Sequence, residues 1–117
     1  MIGRVRSRLG MRFYATARGR EPVRDWLAEL DPATLRAVSE DLQTVQIGWP
    51  LGMPLVRKLE PGLWEIRSSV PTGIVRVLFT VVGAELVLLS AFAKKSQMMP
   101  KDELAVARKR MKDILRG

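Results

Sequence analysis

The spacing of the apolar residues changes half-way along this chain, and that change restricts the possible folds more than any other feature. Between Val23 and Leu30, apolar side chains recur at intervals of three and four residues, which places them on one face of a helix. A second helical pattern runs from the N-cap candidate Asp31 to Gly48. From Leu63 to Ser69, apolar and polar residues alternate, as they do in strands, and residues 85–93 are apolar on both faces, as in a central strand. Helices followed by a run of strands predict an α+β domain.

Turn residues divide the second half of the chain, from Leu63 to Ala93, into three strands. The strands are predicted at residues 63–69, 74–82 and 85–93, with turns at residues 71–73 and 83–84. A short strand at residues 11–15 precedes the helices, and a last helix begins at Pro100. The predicted α+β fold is therefore a small antiparallel sheet, made of the N-terminal strand and a three-stranded meander. A helical hairpin packs on this sheet, and a C-terminal helix completes the fold.

Positive charge is concentrated towards the two ends of the sequence. The 117 residues have a formal net charge of +8, with +6 on residues 1–20, −4 on residues 21–66 and +6 on residues 67–117. A basic second half beside an acidic middle favours a face that binds a polyanion, although ordinary solvated charges explain the same distribution. Residues 1–10 are predicted to be a basic tail that precedes one domain at residues 11–117.

The sequence contains no cysteine and no histidine, and these absences exclude several classes of protein. Without cysteine there is no disulfide framework and no thiol nucleophile. Without histidine there is no Ser-His or Cys-His catalytic pair, and the usual zinc and iron ligand sets are missing. We therefore expect a protein that uses neither a metal nor another cofactor.

The longest apolar run is too short to cross a membrane. It extends from Leu86 to Ala93 and is interrupted by Ser90, whereas a membrane-spanning helix needs roughly 20 apolar residues. Residues 1–10 carry arginines that no apolar run follows, unlike a secretory signal. We expect a cytoplasmic protein.

Two arginines in neighbouring predicted strands are the most informative polar residues. Arg67 and Arg76 each lie opposite the apolar face of their strand, and the turn at residues 71–73 makes the strands neighbours. If helices cover one face of the sheet, both guanidinium groups project from the other, open face. There each can donate two parallel hydrogen bonds to a phosphate. The alternative is that they form surface salt bridges with Glu65 or Glu85, which stabilise a protein little.

Other basic residues are predicted to lie in loops at the edge of the sheet. Arg57 and Lys58 precede the meander, and Lys94 and Lys95 follow it. Loop positions suit side chains that reach a substrate, but each pair on its own is better explained as ordinary solvated charge.

The three tryptophans are candidates for stacking on nucleic-acid bases. The spacing of Trp26 and the in-face position of Trp64 favour core packing over base stacking, whereas Trp49 fits either.

Three blocks of sequence between Leu51 and Ile114 resemble the RelE/HigB superfamily of toxins, above all its subgroup of phage-derived host-inhibition relatives. The blocks read PLVRKLEPGLWEIRSS, GIVRVLFTV and LVLLSAFAKKSQMMPKDELAVARKRM. Residues 11–49 are similar to the same family in architecture more than in sequence. The resemblance implies a RelE-like fold.

The resemblance also implies a function. The chain would be the toxin of a type II toxin–antitoxin system, an endoribonuclease (mRNA interferase) that cleaves messenger RNA on the ribosome and so inhibits translation. Such toxins use no metal and make the RNA 2′-hydroxyl attack the adjacent phosphate, which leaves a cyclic phosphate and a 5′-hydroxyl. The implied partners are the ribosome, messenger RNA and a helix-turn-helix antitoxin of HigA type. The alternative is a non-catalytic nucleic-acid-binding or regulatory module with the same fold.

The family's site residues correspond to basic residues of this chain. The catalytic residues that the resemblance implies are Lys58, Arg67, Arg76, Lys94 and Lys95, and we predict that Arg57, Lys101 and Arg108 bind RNA. The arginine pair would hold the phosphate oxygens, while the lysines would transfer protons and contact the RNA backbone. Some relatives carry Tyr or His near the chain end as acid or base. Here the one tyrosine, Tyr14, lies far from that end in sequence.

Overall fold

Helices and strands follow one another in the order that the sequence predicts, with one strand added. The structure, a computed structural model, describes residues 9–94 and 99–116. Its elements are β1 (Gly10–Phe13), α1 (Pro22–Ala28), α2 (Pro32–Gly48), β2 (Val56–Glu60), β3 (Leu63–Val70), β4 (Gly73–Val82), β5 (Glu85–Lys94) and α3 (Lys101–Arg116). The α+β class, the helical hairpin α1–α2 and the C-terminal helix are thereby confirmed.

The five strands form one mixed sheet in the order β1-β5-β4-β3-β2. Strands β3, β4 and β5 are the predicted antiparallel meander. The prediction of a wholly antiparallel sheet is wrong, because β1 pairs in parallel with β5, and a four-residue strand carries no sequence signal for the direction of its partner. The loop predicted around Arg57 and Lys58 is the edge strand β2. Edge strands tolerate adjacent charged residues, which would be unfavourable in a central strand.

The helical hairpin covers one face of the sheet. The Asp31 side chain accepts a hydrogen bond of 3.1 Å from the Thr34 backbone N–H, which confirms the predicted N-cap of α2. From there α2 buries Val38, Leu42 and Val45 against the odd-numbered residues of β4 and the even-numbered residues of β3. The predicted apolar stripe of this helix is therefore its buried face.

The three tryptophans pack against the hydrophobic core beneath the hairpin. The rings of Trp49 and Trp64 meet edge to face with centroids 4.9 Å apart, and Phe79 lies 5.5 Å from Trp49. Trp26 is half-buried against the same core. Core packing therefore accounts for all three rings, including Trp49, for which the sequence left the choice open.

Helix α3 covers part of the opposite face, which the sequence predicts to be open. Its Ala107 is fully buried in a second hydrophobic cluster with Leu63, Leu78 and Leu89, and partly buried side chains of α3 surround that cluster. Arg110 also donates a hydrogen bond of 2.7 Å from Nη1 to the Leu89 carbonyl oxygen. Both faces of the sheet are therefore covered near its centre. The expectation of an open face is wrong because α3 folds back over β3, β4 and β5.

The N-terminal end of the described chain is attached to the hairpin. The Leu9 backbone N–H donates to the Gln46 carbonyl oxygen at 3.1 Å, and the Gln46 side chain donates to the Leu9 carbonyl oxygen at 2.9 Å. Strand β1 begins at Gly10, the last residue of the predicted tail. The rest of that tail, residues 1–8, lies outside the described residues. Within the described ranges, no helix is long and apolar enough to cross a membrane.

Two leucines in helices test where the core lies. Leu42 of α2 is 4% exposed, whereas Leu115 of α3 is 61% exposed. We expect Leu42→Ala to lower the free energy of unfolding by about 2–5 kcal/mol, because it removes buried methyl groups and leaves a cavity. The same substitution at Leu115 is the control and should change it by less than about 0.5 kcal/mol. Urea unfolding of both variants measures the difference, and equal losses would contradict this description of the core.

Candidate functional site

The pairing of β3 with β4 places Arg67 and Arg76 directly opposite each other. Their neighbours Ile66 and Val77 are buried under the hairpin, so the two arginines lie on the other face of the sheet. The predicted adjacency and the predicted face are therefore confirmed. Their exposure differs, however, because Arg67 is half-buried and Arg76 is only 1% exposed. The expectation that both guanidinium groups project into solvent is wrong for Arg76, which lies on a central strand between Arg67 and Phe92.

A buried carboxylate joins two of the arginines on this face. Glu65 is fully buried, and its Oε2 lies 3.4 Å from Nη1 of Arg76. Its Oε1 lies 3.3 Å from Nε of Arg57, whose side chain is 36% exposed. Arg76 therefore forms the salt bridge that the sequence offered as an alternative, but the pair is buried rather than on the surface. We call Arg57, Glu65, Arg67 and Arg76 the arginine cluster.

The arginine cluster carries an excess of positive charge. Burial lowers the pKa of Arg76, and the charges of Arg67 and Arg57 lower it further, while Glu65 opposes them. A guanidinium group nevertheless stays protonated in proteins, so three cations face one carboxylate and leave a formal charge of +2. Like charges directly opposite each other on neighbouring strands are destabilising. An anion that joined the cluster would relieve this repulsion.

Arg67 is the member of the cluster beside an open cavity. It lines a cavity of about 320 Å³ together with Asp41, Pro54, Leu55 and Ser69. Within the described part of the chain, the buried Nε of Arg67 has no hydrogen-bond partner. A guanidinium group at the wall of a cavity can bind a phosphate, whereas Arg76 is buried and contributes only its charge.

The two basic residues of β2 face opposite sides of the sheet. Arg57 pairs with Glu65 across the strands and belongs to the arginine cluster, although the sequence predicts only an RNA contact in a loop. Lys58 pairs with Trp64 and is exposed on the hairpin side. The structure therefore brings Arg57 to the arginine pair and separates Lys58 from it.

The sequence of residues 25–112 matches the family described as phage derived protein Gp49-like (DUF891). This range is about three quarters of the chain and includes the whole arginine cluster. The chain belongs to this Gp49-like family. The family is toxin-like and is often found in toxin–antitoxin systems. No curated protein matches the sequence.

The remaining site residues predicted for this Gp49-like chain are spread along the end of β5 and along α3. Lys94 is the last residue of β5, opposite Ile74, but its side chain and all of Lys95 lie outside the described residues. Lys101 is exposed at the start of α3. Arg108 binds Glu60, with Nε 2.9 Å from each carboxylate oxygen, and so already has an anionic partner. This hydrogen bonding lowers the pKa of Glu60 and raises that of Arg108.

The fold of this Gp49-like chain brings its single tyrosine to the C-terminal helix. The Tyr14 hydroxyl donates a hydrogen bond of 2.9 Å to Asp113, and the Arg110 guanidinium lies 5.3 Å from the centre of the ring. The hydrogen bond to Asp113, burial and the Asp113 charge raise the pKa of Tyr14, and Arg110 opposes them. Tyr14 and Asp113 are 99 residues apart, so no sequence signal predicts this contact. In the described ranges, no three acidic side chains are grouped so that they could hold a metal ion.

The burial of Arg76 predicts a large cost for its removal. Arg76→Ala leaves the fully buried Glu65 with Arg57 as its remaining ion-pair partner. Removal of one partner from a buried ion pair costs about 3–5 kcal/mol, because the other charge stays buried without it. We expect Arg76→Ala to lower the free energy of unfolding by that amount.

The matched control for Arg76→Ala is a substitution in a salt bridge on the surface. Arg12 and Glu85 lie 3.2 Å apart with side chains 44% and 47% exposed. Arg12→Ala should therefore cost about 0–1 kcal/mol, as exposed pairs do. Urea unfolding of both variants measures the contrast. If Arg76→Ala is no more destabilising than Arg12→Ala, the buried ion pair does not support the fold.

Proposed function

We propose that this chain is the toxin of a type II toxin–antitoxin system, and that it cleaves messenger RNA on the ribosome as RelE and HigB toxins do. Membership in the toxin-like Gp49-like family supports the assignment as a toxin, but not a particular activity. The observation that carries the ribonuclease proposal is the position of Arg67, which lines an open cavity at the edge of a cluster with a formal charge of +2. Such a site attracts the phosphate of an RNA backbone.

The proposed reaction needs only the RNA and groups of the protein. The 2′-hydroxyl loses its proton and forms a bond to the adjacent phosphorus, the bond from phosphorus to the 5′-oxygen breaks, and that oxygen takes up a proton. The products are a cyclic phosphate and a 5′-hydroxyl. Negative charge accumulates on the non-bridging oxygens during this step. Preorganised cations stabilise this negative charge. Arg67 donates hydrogen bonds to the oxygens directly, and the buried Arg76 contributes its positive charge without contacting them.

The basic residues outside the arginine pair have supporting roles in this proposal. Lys94, the last residue of β5, and Lys95, the next residue in the sequence, are the proposed proton carriers. Lys58 is on the opposite side of the sheet, and there it fits a contact with the RNA backbone better than a proton transfer. Arg57, a member of the arginine cluster, and Lys101, exposed at the start of α3, are proposed RNA contacts, whereas Arg108 would first have to leave Glu60.

A toxin of this kind needs a partner that neutralises it. We propose a helix-turn-helix antitoxin of HigA type, encoded next to the toxin, and we place the toxin in the cytoplasm, where ribosomes and messenger RNA are. The proposal predicts that expression of the chain alone stops growth and degrades transcripts, and that co-expression of the antitoxin prevents both effects.

Substitution of Arg67 tests the ribonuclease proposal most directly. Removal of one preorganised donor to a transition-state oxyanion costs about 10²–10³ in rate, so we expect Arg67→Ala to lose that much RNA cleavage. The protein should stay folded, because Arg67 is half-buried and forms no ion pair with a described residue. Arg67→Lys should restore little activity, since an ammonium cannot reproduce the bidentate fork. A cleavage assay with ribosomes and messenger RNA, beside thermal melts, measures both properties.

An arginine of the hairpin provides the matched control. Arg36 is exposed on α2, away from the arginine cluster, so Arg36→Ala should cleave RNA as fast as the unmodified chain. Full cleavage by Arg67→Ala would remove Arg67 from the site. An equal loss in Arg36→Ala would indicate that general positive charge, rather than a specific site, drives the reaction.

The pH dependence of cleavage provides a second test. The chain has no histidine, which is the one side chain whose ordinary pKa lies in the neutral range. We therefore expect the cleavage rate to show no step near pH 6.5, which is about the usual pKa of an imidazole. Single-turnover rates across neutral pH give the profile. A clear step at that pH would show that a group outside the arginine cluster limits the reaction.

A second function is favoured by the composition of the arginine cluster itself. Its described members are three guanidinium groups, a type of side chain that is not deprotonated in proteins, and one carboxylate that has no solvent-accessible surface. Such a cluster also fits a module that binds RNA without cleaving it. The same assay separates the two functions, because the binding module retains intact RNA and produces no 5′-hydroxyl ends.

A further inference from the structure

Glu65 is a fully buried carboxylate on a face that otherwise concentrates positive charge. The proposed reaction does not use it, since it has no solvent-accessible surface and repels phosphate. Buried ion pairs are seldom more stable than apolar residues of the same size, so stability alone does not explain a glutamate at this position. The contacts that Glu65 forms indicate another role.

The sheet register determines which arginines Glu65 can reach. Arg57 of β2 is its direct cross-strand partner, while Leu78 of β4 is opposite it on the other side. Arg76 is two residues from Leu78 on the same face, which makes it a diagonal neighbour of Glu65. A single carboxylate thus lies between the guanidinium groups of two different strands, with contacts of 3.3 and 3.4 Å.

Arg67 is next to this carboxylate but does not bind it. It lies two residues along β3 from Glu65 and directly opposite Arg76. Because like charges directly opposite each other on neighbouring strands repel, the charge of Arg67 lowers the pKa of Arg76. Glu65 forms ion pairs with Arg76 and Arg57, whereas Arg67 forms no ion pair with a described residue and lines the cavity.

We propose that Glu65 is the positioning residue of the arginine cluster. Its carboxylate fixes Arg57 and Arg76 beneath the phosphate that Arg67 receives, and it touches no part of the RNA itself. This inference rests on the proposed ribonuclease function. It predicts that the geometry of the cluster, and not only its charge, determines the rate of cleavage.

Two substitutions separate the charge of Glu65 from its position. Glu65→Gln keeps the shape of the side chain and removes the charge, whereas Glu65→Asp keeps the charge and shortens the side chain by one methylene. Misplacement of catalytic groups by about 1 Å can cost about a hundredfold in rate, so we expect kcat to fall by that order in both variants. KM should stay the same or decrease in Glu65→Gln, because the cluster then carries more positive charge and attracts RNA more strongly.

If Glu65 has a purely structural role, the two Glu65 variants give a different result. In that case each variant loses thermal stability, while kcat per folded molecule, measured well below the melting temperature, equals that of the unmodified chain. Unchanged kcat in Glu65→Asp would mean that the charge alone suffices and would overturn the proposal. If Glu65→Gln does not fold, Glu65→Asp decides the question, and failure of both to fold would also overturn it by showing that the fold itself requires Glu65.

A measurement without RNA separates this inference from the proposed function. NMR spectra of the arginine Nε–H groups report whether each guanidinium is held in place. We expect sharp, well-dispersed signals from Arg57 and Arg76 that broaden or shift to the free-arginine position in both Glu65 variants. The signal of Arg12, which pairs with Glu85, is the control and should not change. If the unmodified chain cleaves no RNA, the proposed function fails, whereas unchanged Arg57 and Arg76 signals in both variants would refute the positioning role.

Discussion

The antiparallel register between β3 and β4 is the constraint on which the rest of the structure depends. It aligns Ile66 with Val77 under the helical hairpin and Arg67 with Arg76 on the opposite face. A slip of β4 by one residue would turn Arg76 into the apolar core and expose Val77, which the hairpin covers. Core packing and the arrangement of the basic site therefore come from the same set of hydrogen bonds.

The position of α3 divides the second face into two regions with different chemistry. Near Leu63, Leu78 and Leu89, the helix covers the sheet with apolar side chains around Ala107. Towards the other ends of β3 and β4, the side chains on this face are those of the arginine cluster, and a cavity opens beside Arg67. Charge is thereby placed next to a low-dielectric core, where a guanidinium group interacts with an anion more strongly than in water.

The neighbours of each arginine determine which of the two can meet a substrate. Arg76 is on a strand with a partner on either side, and it is buried between β3 and β5 against Glu65. Arg67 is one strand nearer the edge and borders the cavity formed with Pro54 and Leu55. Two residues with the same chemistry and the same position relative to the turn thus differ in exposure, because one of them is closer to the edge of the sheet.

The sequence by itself determined the elements, the face of the meander that carries the arginines and the adjacency of Arg67 and Arg76, because apolar periodicity and turn residues act locally. It also indicated a RelE-like arrangement through the blocks around Trp64, Val75 and Leu89. Only the tertiary structure decided that β1 is parallel to β5, that Arg57 joins the cluster while Lys58 does not, and that Arg76 is buried. These features depend on contacts between residues far apart in sequence. Neither helical periodicity nor strand alternation carries information about which distant element will cover a given face.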